Sequence, residues 1–197
     1  MGCQSSSYNW YSGNFEEAKT VAGSKLILLD FYTETWPACV QLDADTFTDS
    51  HVKAFSDANL ISIKMDANKE EARKVFDEYK CKGVPHLLFV DKKGNEVDRI
   101  IGYLPPSEYL ARIQDIRNNK HTLIDYLAQY ENGNANAELI AGIAMKYEDR
   151  GDSDNAKEFY KILIKDYPDP ASEYYQRGTY FLASDAFKNG ISVIRHR

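Results

Sequence analysis

The residues of this chain that could do chemistry are few. There are three cysteines, Cys3, Cys39 and Cys81, and four histidines, His51, His86, His121 and His196. A thiol acts as nucleophile or metal ligand through its thiolate, and a disulfide needs a second thiol within reach. An odd count gives no disulfide framework. The cysteines and histidines fall at no zinc-ligand spacing, so neither a metal nor another cofactor is expected. One acid stands out: Asp30 is the only charge in the run Leu26 to Tyr32.

The elements that must position these groups follow from the pattern around them. The run Leu26 to Tyr32 reads as a fully buried central strand. Before it, Phe15, Ala18, Val21 and Ala22 recur at helical spacing, and Gly23-Ser24 breaks that helix. A loop and helix follow through Thr35 to Asp45, then a short helix over Val52 to Phe55 with Ser50 as a plausible cap. Leu60 to Met65 alternates and reads as a second strand. Asn68 to Tyr79 is helical, with Ala72, Val75, Phe76 and Tyr79 as its apolar stripe. His86 to Val90 is a third strand, joined through the Gly94 turn to a returning strand over Glu96 to Ile101. Pro105-Pro106-Ser107 opens a last helix. Strands separated by helices imply parallel pairs, and the short Gly turn implies one antiparallel hairpin. The result is an α/β fold, a mixed sheet with helices on both faces.

These residues, in this order, resemble the thioredoxin superfamily. The resemblance is carried by Leu29-Asp30-Phe31-Tyr32-Thr33-Glu34-Thr35-Trp36-Pro37-Ala38-Cys39 and Thr46-Phe47, then by Val84-Pro85, the Leu87 to Val90 strand, the Gly94 hairpin and Gly102-Tyr103-Leu104-Pro105. It implies a thioredoxin fold over residues 14–118, preceded by a flexible lead over 1–13. In the family, Trp-Cys-x-x-Cys opens a helix: the first cysteine attacks substrate disulfides and the second resolves the mixed disulfide. Counting forward from Asp30-Phe31 or back from Thr46-Phe47 puts Trp36 at the attacking position and Cys39 at the resolving one. By the same resemblance Asp30 is the buried carboxylate that takes the resolving thiol's proton. Pro85 matches the family's cis-proline, and Val84, Pro85 and His86 are the expected surface for an extended partner chain. Cys81, four residues before Pro85, is a possible second thiol.

Residues 119–197 are expected to be helical. From Ala137 to Asp169 the chain resembles a tetratricopeptide repeat. Ile140, Ile143, Ala144, Tyr147, Gly151, Ala156, Tyr160, Leu163 and Pro168 fall in phase with its period of about 34 residues. A second start at Ala171, with Tyr174 and Gly178, fades after Leu182. Such a hairpin packs on its neighbour or serves as a docking platform for a second partner.

Composition excludes several classes. Of 197 residues, 43% are hydrophobic and 27% charged, as in globular domains. A net charge of -6, with lysines and arginines scattered among acids, argues against nucleic acid. No apolar run reaches the ~18–20 residues of a membrane span. Met1-Gly2-Cys3-Gln4-Ser5-Ser6 admits N-myristoylation or, as we favour, a bacterial lipoprotein junction with Cys3 lipidated. The first reading leaves the chain N-acylated or cytoplasmic, the second tethers it in the bacterial envelope.

Two functions follow. One is a redox-impaired binding module that holds an extended partner chain, because tryptophan cannot attack sulfur. The alternative is an active thiol-disulfide oxidoreductase that uses Cys39 as a single thiol, or in which Trp36 replaces a native cysteine.

Overall fold

The central strand β1 (Leu26–Tyr32) buries its five middle residues because both faces of the sheet are covered. The computed structural model describes residues 8–195 and divides into two units, the first ending at Thr122 and the second beginning at Leu123. In the first unit, β1 lies beside β2 (Leu60–Asp66) and β3 (His86–Val90), with β4 (Glu96–Ile101) outside β3, in the order β2-β1-β3-β4. β2 runs parallel to β1, while β3 is antiparallel to both β1 and β4.

The antiparallel β1–β3 pair corrects the parallel pairing expected of helix-linked strands. His86 starts β3 level with Phe31, at the end where β1 and β2 finish. The intervening helix α4 (Glu70–Glu78) has nine residues, and at 1.5 Å per residue it spans about 13 Å. A seven-residue strand spans about 23 Å, so α4 does not carry the chain back along β2.

Side-chain alternation along β1 divides the core. Ile27, Leu29 and Phe31 pack with Ala18, Ala22, Phe76, Leu88 and Val90, beneath α4 and α1 (Phe15–Val21). Leu28 faces the other way, with Phe47, Val52, Leu87, Phe89, Tyr109 and Ile113. That layer is covered by α2 (Pro37–Gln41), a π turn (Leu42–Thr46), α3 (Ser50–Asn59) and α5 (Pro106–Arg117). Asp30 shares the parity of Leu28, so it points into this second layer.

Asn14 starts α1 through a reciprocal cap: its Oδ1 accepts from the Glu17 amide at 2.9 Å, and its own amide donates to Glu17 Oε2 at 3.1 Å. Asn14→Ala is expected to lower unfolding stability by about 1 kcal/mol, read as a lower urea midpoint at unchanged slope. Asp49, rather than the expected Ser50, caps α3. At the β3–β4 turn, Gly94 takes a φ of +85°, a region that side chains disfavour.

Part of the expected flexible lead is structured. The Tyr11 amide donates to the Ser62 carbonyl at 2.7 Å, and Trp10 forms a parallel bridge with Ser62 on the outer edge of β2. The Tyr8 hydroxyl shares a hydrogen bond with Ser62 Oγ at 3.0 Å. Tyr8 and Trp10 both pack on the Phe47 ring, and this aromatic burial is what holds the segment down. Met1 to Ser7, including Cys3, lies outside the described residues.

The second unit is helical: α6 (Leu123–Glu131), α7 (Ala137–Asp149), α8 (Ser153–Asp166) and α9 (Glu173–Arg195). Ile140, Ala144, Ala156, Tyr160 and Leu163 form its core, joined by Phe181 and Leu182. Small Ala144 and Ala156 let α7 and α8 approach closely. The Tyr160 hydroxyl donates to Glu148 Oε2 at 2.7 Å. A Cβ at Gly178 would meet the Tyr160 ring at 3.0 Å, so the glycine gives α9 its seat on that ring. α9 runs on to Arg195, well past Leu182 where the repeat pattern fades.

Candidate active site

The loop after β1 turns into α2 at Trp36, whose backbone is extended (φ -75°, ψ 121°) and forms the N-cap. Pro37 at the first helical position fixes φ where no amide hydrogen bond is needed. The Trp36 carbonyl accepts from the Cys39 and Val40 amides at 2.9 and 3.1 Å, closing the first turn over Ala38. Trp36 and Val40, one turn apart, are 54% and 51% exposed, which is unusual for large apolar side chains.

Cys39 points inward and is 2% exposed. Burial pushes its thiol up; a hydrogen bond from the Thr33 backbone opposes this, and the Asp30 charge adds to it. A buried, uncharged thiol is a poor nucleophile. Asp30 is buried as well, and neither carboxyl oxygen has a hydrogen-bond partner. Its carboxyl is pushed up to about 7 by burial, with Lys64 pulling the other way and Asp43 reinforcing the rise.

Lys64 is a charged neighbour of Asp30 that the sequence pattern does not single out. It is the register partner of Asp30 across β1 and β2, and its Nζ stands 3.7 Å from Asp30 Oδ2. The same ammonium binds both carboxylate oxygens of Asp43 on the π turn. It also lies 4.2 Å from the Tyr32 ring centre and 5.3 Å from that of Trp10. The signal available in the sequence was a lysine inside an alternating strand, whose partner is fixed by register rather than by local pattern.

The Val84–Pro85 peptide is cis. The Gly102 amide donates to the Pro85 carbonyl at 2.9 Å. The loop after Gly102 is tied to the π turn, since Tyr103 Oη donates to Asp45 Oδ2 at 3.1 Å and Thr46 Oγ1 to the Leu104 carbonyl at 2.7 Å. Val84 is half-buried, and its amide and carbonyl enter no backbone hydrogen bond among the described residues. Trp36, Val84-Pro85 and Gly102-Tyr103 therefore gather at one end of the sheet.

Two expected site residues lie elsewhere. His86 is fully buried rather than part of a partner-binding surface, because its parity in β3 matches Leu88 and Val90. Its ring packs edge-on to Phe76, and it is held down to about 4 by burial and then by Arg99. Cys81 packs with Ile27, Leu29 and Phe31, on the face opposite Asp30. Both Cys39 and Cys81 are free. The sheet separates them, so Cys81 does not serve Cys39 as a second thiol, and burial pushes it up to about 12.

A family model described as a thioredoxin-like domain matches residues 15–117, just over half of the chain. The chain belongs to the thioredoxin-like family. This thioredoxin-like chain is similar to the thiol:disulfide interchange protein DsbD of Tatumella citrea, 29% identical over 107 residues that make up 53% of this chain and 18% of that protein. DsbD of Pasteurella multocida is 31% identical over 98 residues, 48% of this chain and 17% of that protein. The chain thus spans less than a fifth of the length of these curated relatives. Among solved structures, a putative disulphide-isomerase from Bacteroides thetaiotaomicron superposes with a TM-score of 0.52 at 27% identity, covering 58% of this chain and 96% of that one. The thioredoxin-like unit is therefore related to thiol-disulfide oxidoreductases.

Proposed function

We propose that this thioredoxin-like chain holds an extended segment of a partner protein at the Trp36 and Val84 end of the sheet, and that dithiol exchange is lost there because Trp36 stands in place of the attacking cysteine. The observation that carries the reading is the pairing of two features. An apolar pair, Trp36 and Val40, is left half exposed, at the same end of the sheet as a Val84 backbone that enters no backbone hydrogen bond among the described residues. Free strand-like amides and carbonyls accept an added chain, and apolar pockets beside them select its side chains. Cys39 is buried with its thiol pushed up, which disfavours single-thiol chemistry. The α7–α8 hairpin, with its tetratricopeptide-like spacing, is the second contact in this reading.

The test uses an unfolded protein whose cysteines have been reduced and alkylated, so that binding is separated from exchange. Binding is expected to be saturable and to slow amide exchange around Val84 and α2. Trp36→Ala is expected to weaken it roughly tenfold, the loss of one buried aromatic anchor. No binding, or disulfide turnover by the parent chain equal to that of an intact dithiol, refutes the reading. Protection confined to the first unit removes the tail from it.

A further inference from the structure

A buried carboxylate is tolerable when a cation sits on it, because the pair offsets part of the cost of leaving water. β1 and β2 supply that cation in register, Lys64 beside Asp30. The ammonium is nonetheless committed elsewhere. It binds both oxygens of Asp43, whose side chain is 44% exposed. It stands 3.7 Å from Asp30, beyond hydrogen-bond reach, and Asp30 keeps neither oxygen satisfied. Asp43 follows Cys39 by four residues, so both project from one side of the same helical segment, over Asp30. The faces of Tyr32 and Trp10 flank the ammonium and favour its present place.

From this geometry we infer that Asp43 is a positioning residue that holds Lys64 back from hydrogen-bond contact with Asp30, so that the carboxyl beside Cys39 keeps its counter-ion at 3.7 Å instead of in direct contact. The inference does not depend on the partner-binding reading. It has a consequence for Cys39: an ionised Asp30 raises the thiol, and a neutral one spares it that repulsion.

Among the described residues, six titratable groups face Asp30. Lys64 comes from β2, Asp43 from the π turn and Cys39 from α2; Tyr8 comes from the N-terminal segment, Tyr109 from α5 and Tyr32 from the same strand. Burial pushes Tyr8 up to about 12 and Tyr109 well above its ordinary value, so neither changes charge near neutrality. Burial leads the rise at Asp30, and the charges that adjust it are those of Lys64 and Asp43.

The experiment follows the Asp30 carboxyl carbon by NMR between pH 4 and 10, with the signal assigned by its loss in Asp30→Asn. Asp43→Asn is expected to lower the midpoint by about one pH unit or more, the effect of a cation newly in contact. Losing the Asp43 charge also acts directly, so Asp43→Asn is compared with Asp43 again in a Lys64→Gln background. There the shift is expected to fall to less than half, the non-additivity of coupled neighbours. Asp43→Glu, which keeps the carboxylate, is expected to retain the parent midpoint. An equal shift in both backgrounds, or none in either, overturns the inference. Both side chains reach solvent, and the amide spectrum of each variant reports that it folds.

Discussion

Trp36→Cys is expected to convert this chain into a disulfide reductase. Position 36 caps α2 and its carbonyl closes a turn onto the Cys39 amide at 2.9 Å. Residues so spaced have Cα atoms about 5–6 Å apart, inside the range a disulfide spans. The new thiol inherits an exposed position at the start of a helical segment that continues through the π turn to Thr46, and the amides there favour thiolate. The cycle balances with dithiothreitol as reductant. The thiolate introduced at position 36 attacks a substrate disulfide and releases the first product thiolate. Cys39 then displaces the second and closes the internal disulfide, and dithiothreitol restores the dithiol.

Losing an enzyme's nucleophile costs roughly 10⁴–10⁶ in rate, so restoring it here is expected to raise turnover by at least about 10². Insulin reduction driven by dithiothreitol reads this. The parent and the double variant Trp36→Cys, Cys39→Ala should both stay near background. A parent chain as active as Trp36→Cys would show that exchange never needed position 36.

The second large effect is on stability. Asp30→Asn is expected to stabilise the protein above pH 7 and to leave it nearly unchanged at pH 4. The folded-state carboxyl titrates at about 7 instead of near 3.8. The native state therefore holds a proton that the unfolded state releases, and that advantage is lost as pH rises from about 4 to 7. At about 1.4 kcal/mol per pH unit, the ceiling is on the order of 4 kcal/mol.

His86 has the opposite slope. Held down to about 4 from 6.5, it contributes stability that is present above 6.5 and lost as pH falls toward 4. In the parent the two slopes oppose each other between pH 4 and 6.5. In Asp30→Asn the His86 slope stands alone, and stability should climb over that interval and then level off. Urea unfolding at intervals of one pH unit distinguishes the two curves. A variant that tracks the parent at every pH would mean that Asp30 carries no such penalty.

What the sequence showed and what it hid have a common physical reason. β1 was visible because a strand covered on both faces must be apolar throughout, and Asp30 stood out as the exception. The Gly94 turn, the Pro106 start of α5 and the close approach of Ala144 and Ala156 were visible for the same reason: each is a local steric demand. Register and direction are not local. Nothing in His86-Leu87-Leu88 says which face His86 takes; antiparallel pairing with β1 decides that, and it sends His86 inward with Leu88. The pairing of Lys64 with Asp30 depends in the same way on residues 34 positions apart meeting across two strands. Tyr8 and Trp10 were concealed by polar neighbours, because their burial depends on Phe47 and Ser62, far along the chain.

β2 forms one border of the sheet. A border strand exposes a row of unpaired amides and carbonyls, the template on which a neighbouring molecule's strand adds and on which sheets grow into aggregates. The Tyr8 to Tyr11 backbone already occupies that border at Ser62. The stretch whose composition looks like a spacer thus acts as a guard rail for the sheet, and trimming the chain back to the first helix would open β2 to self-association.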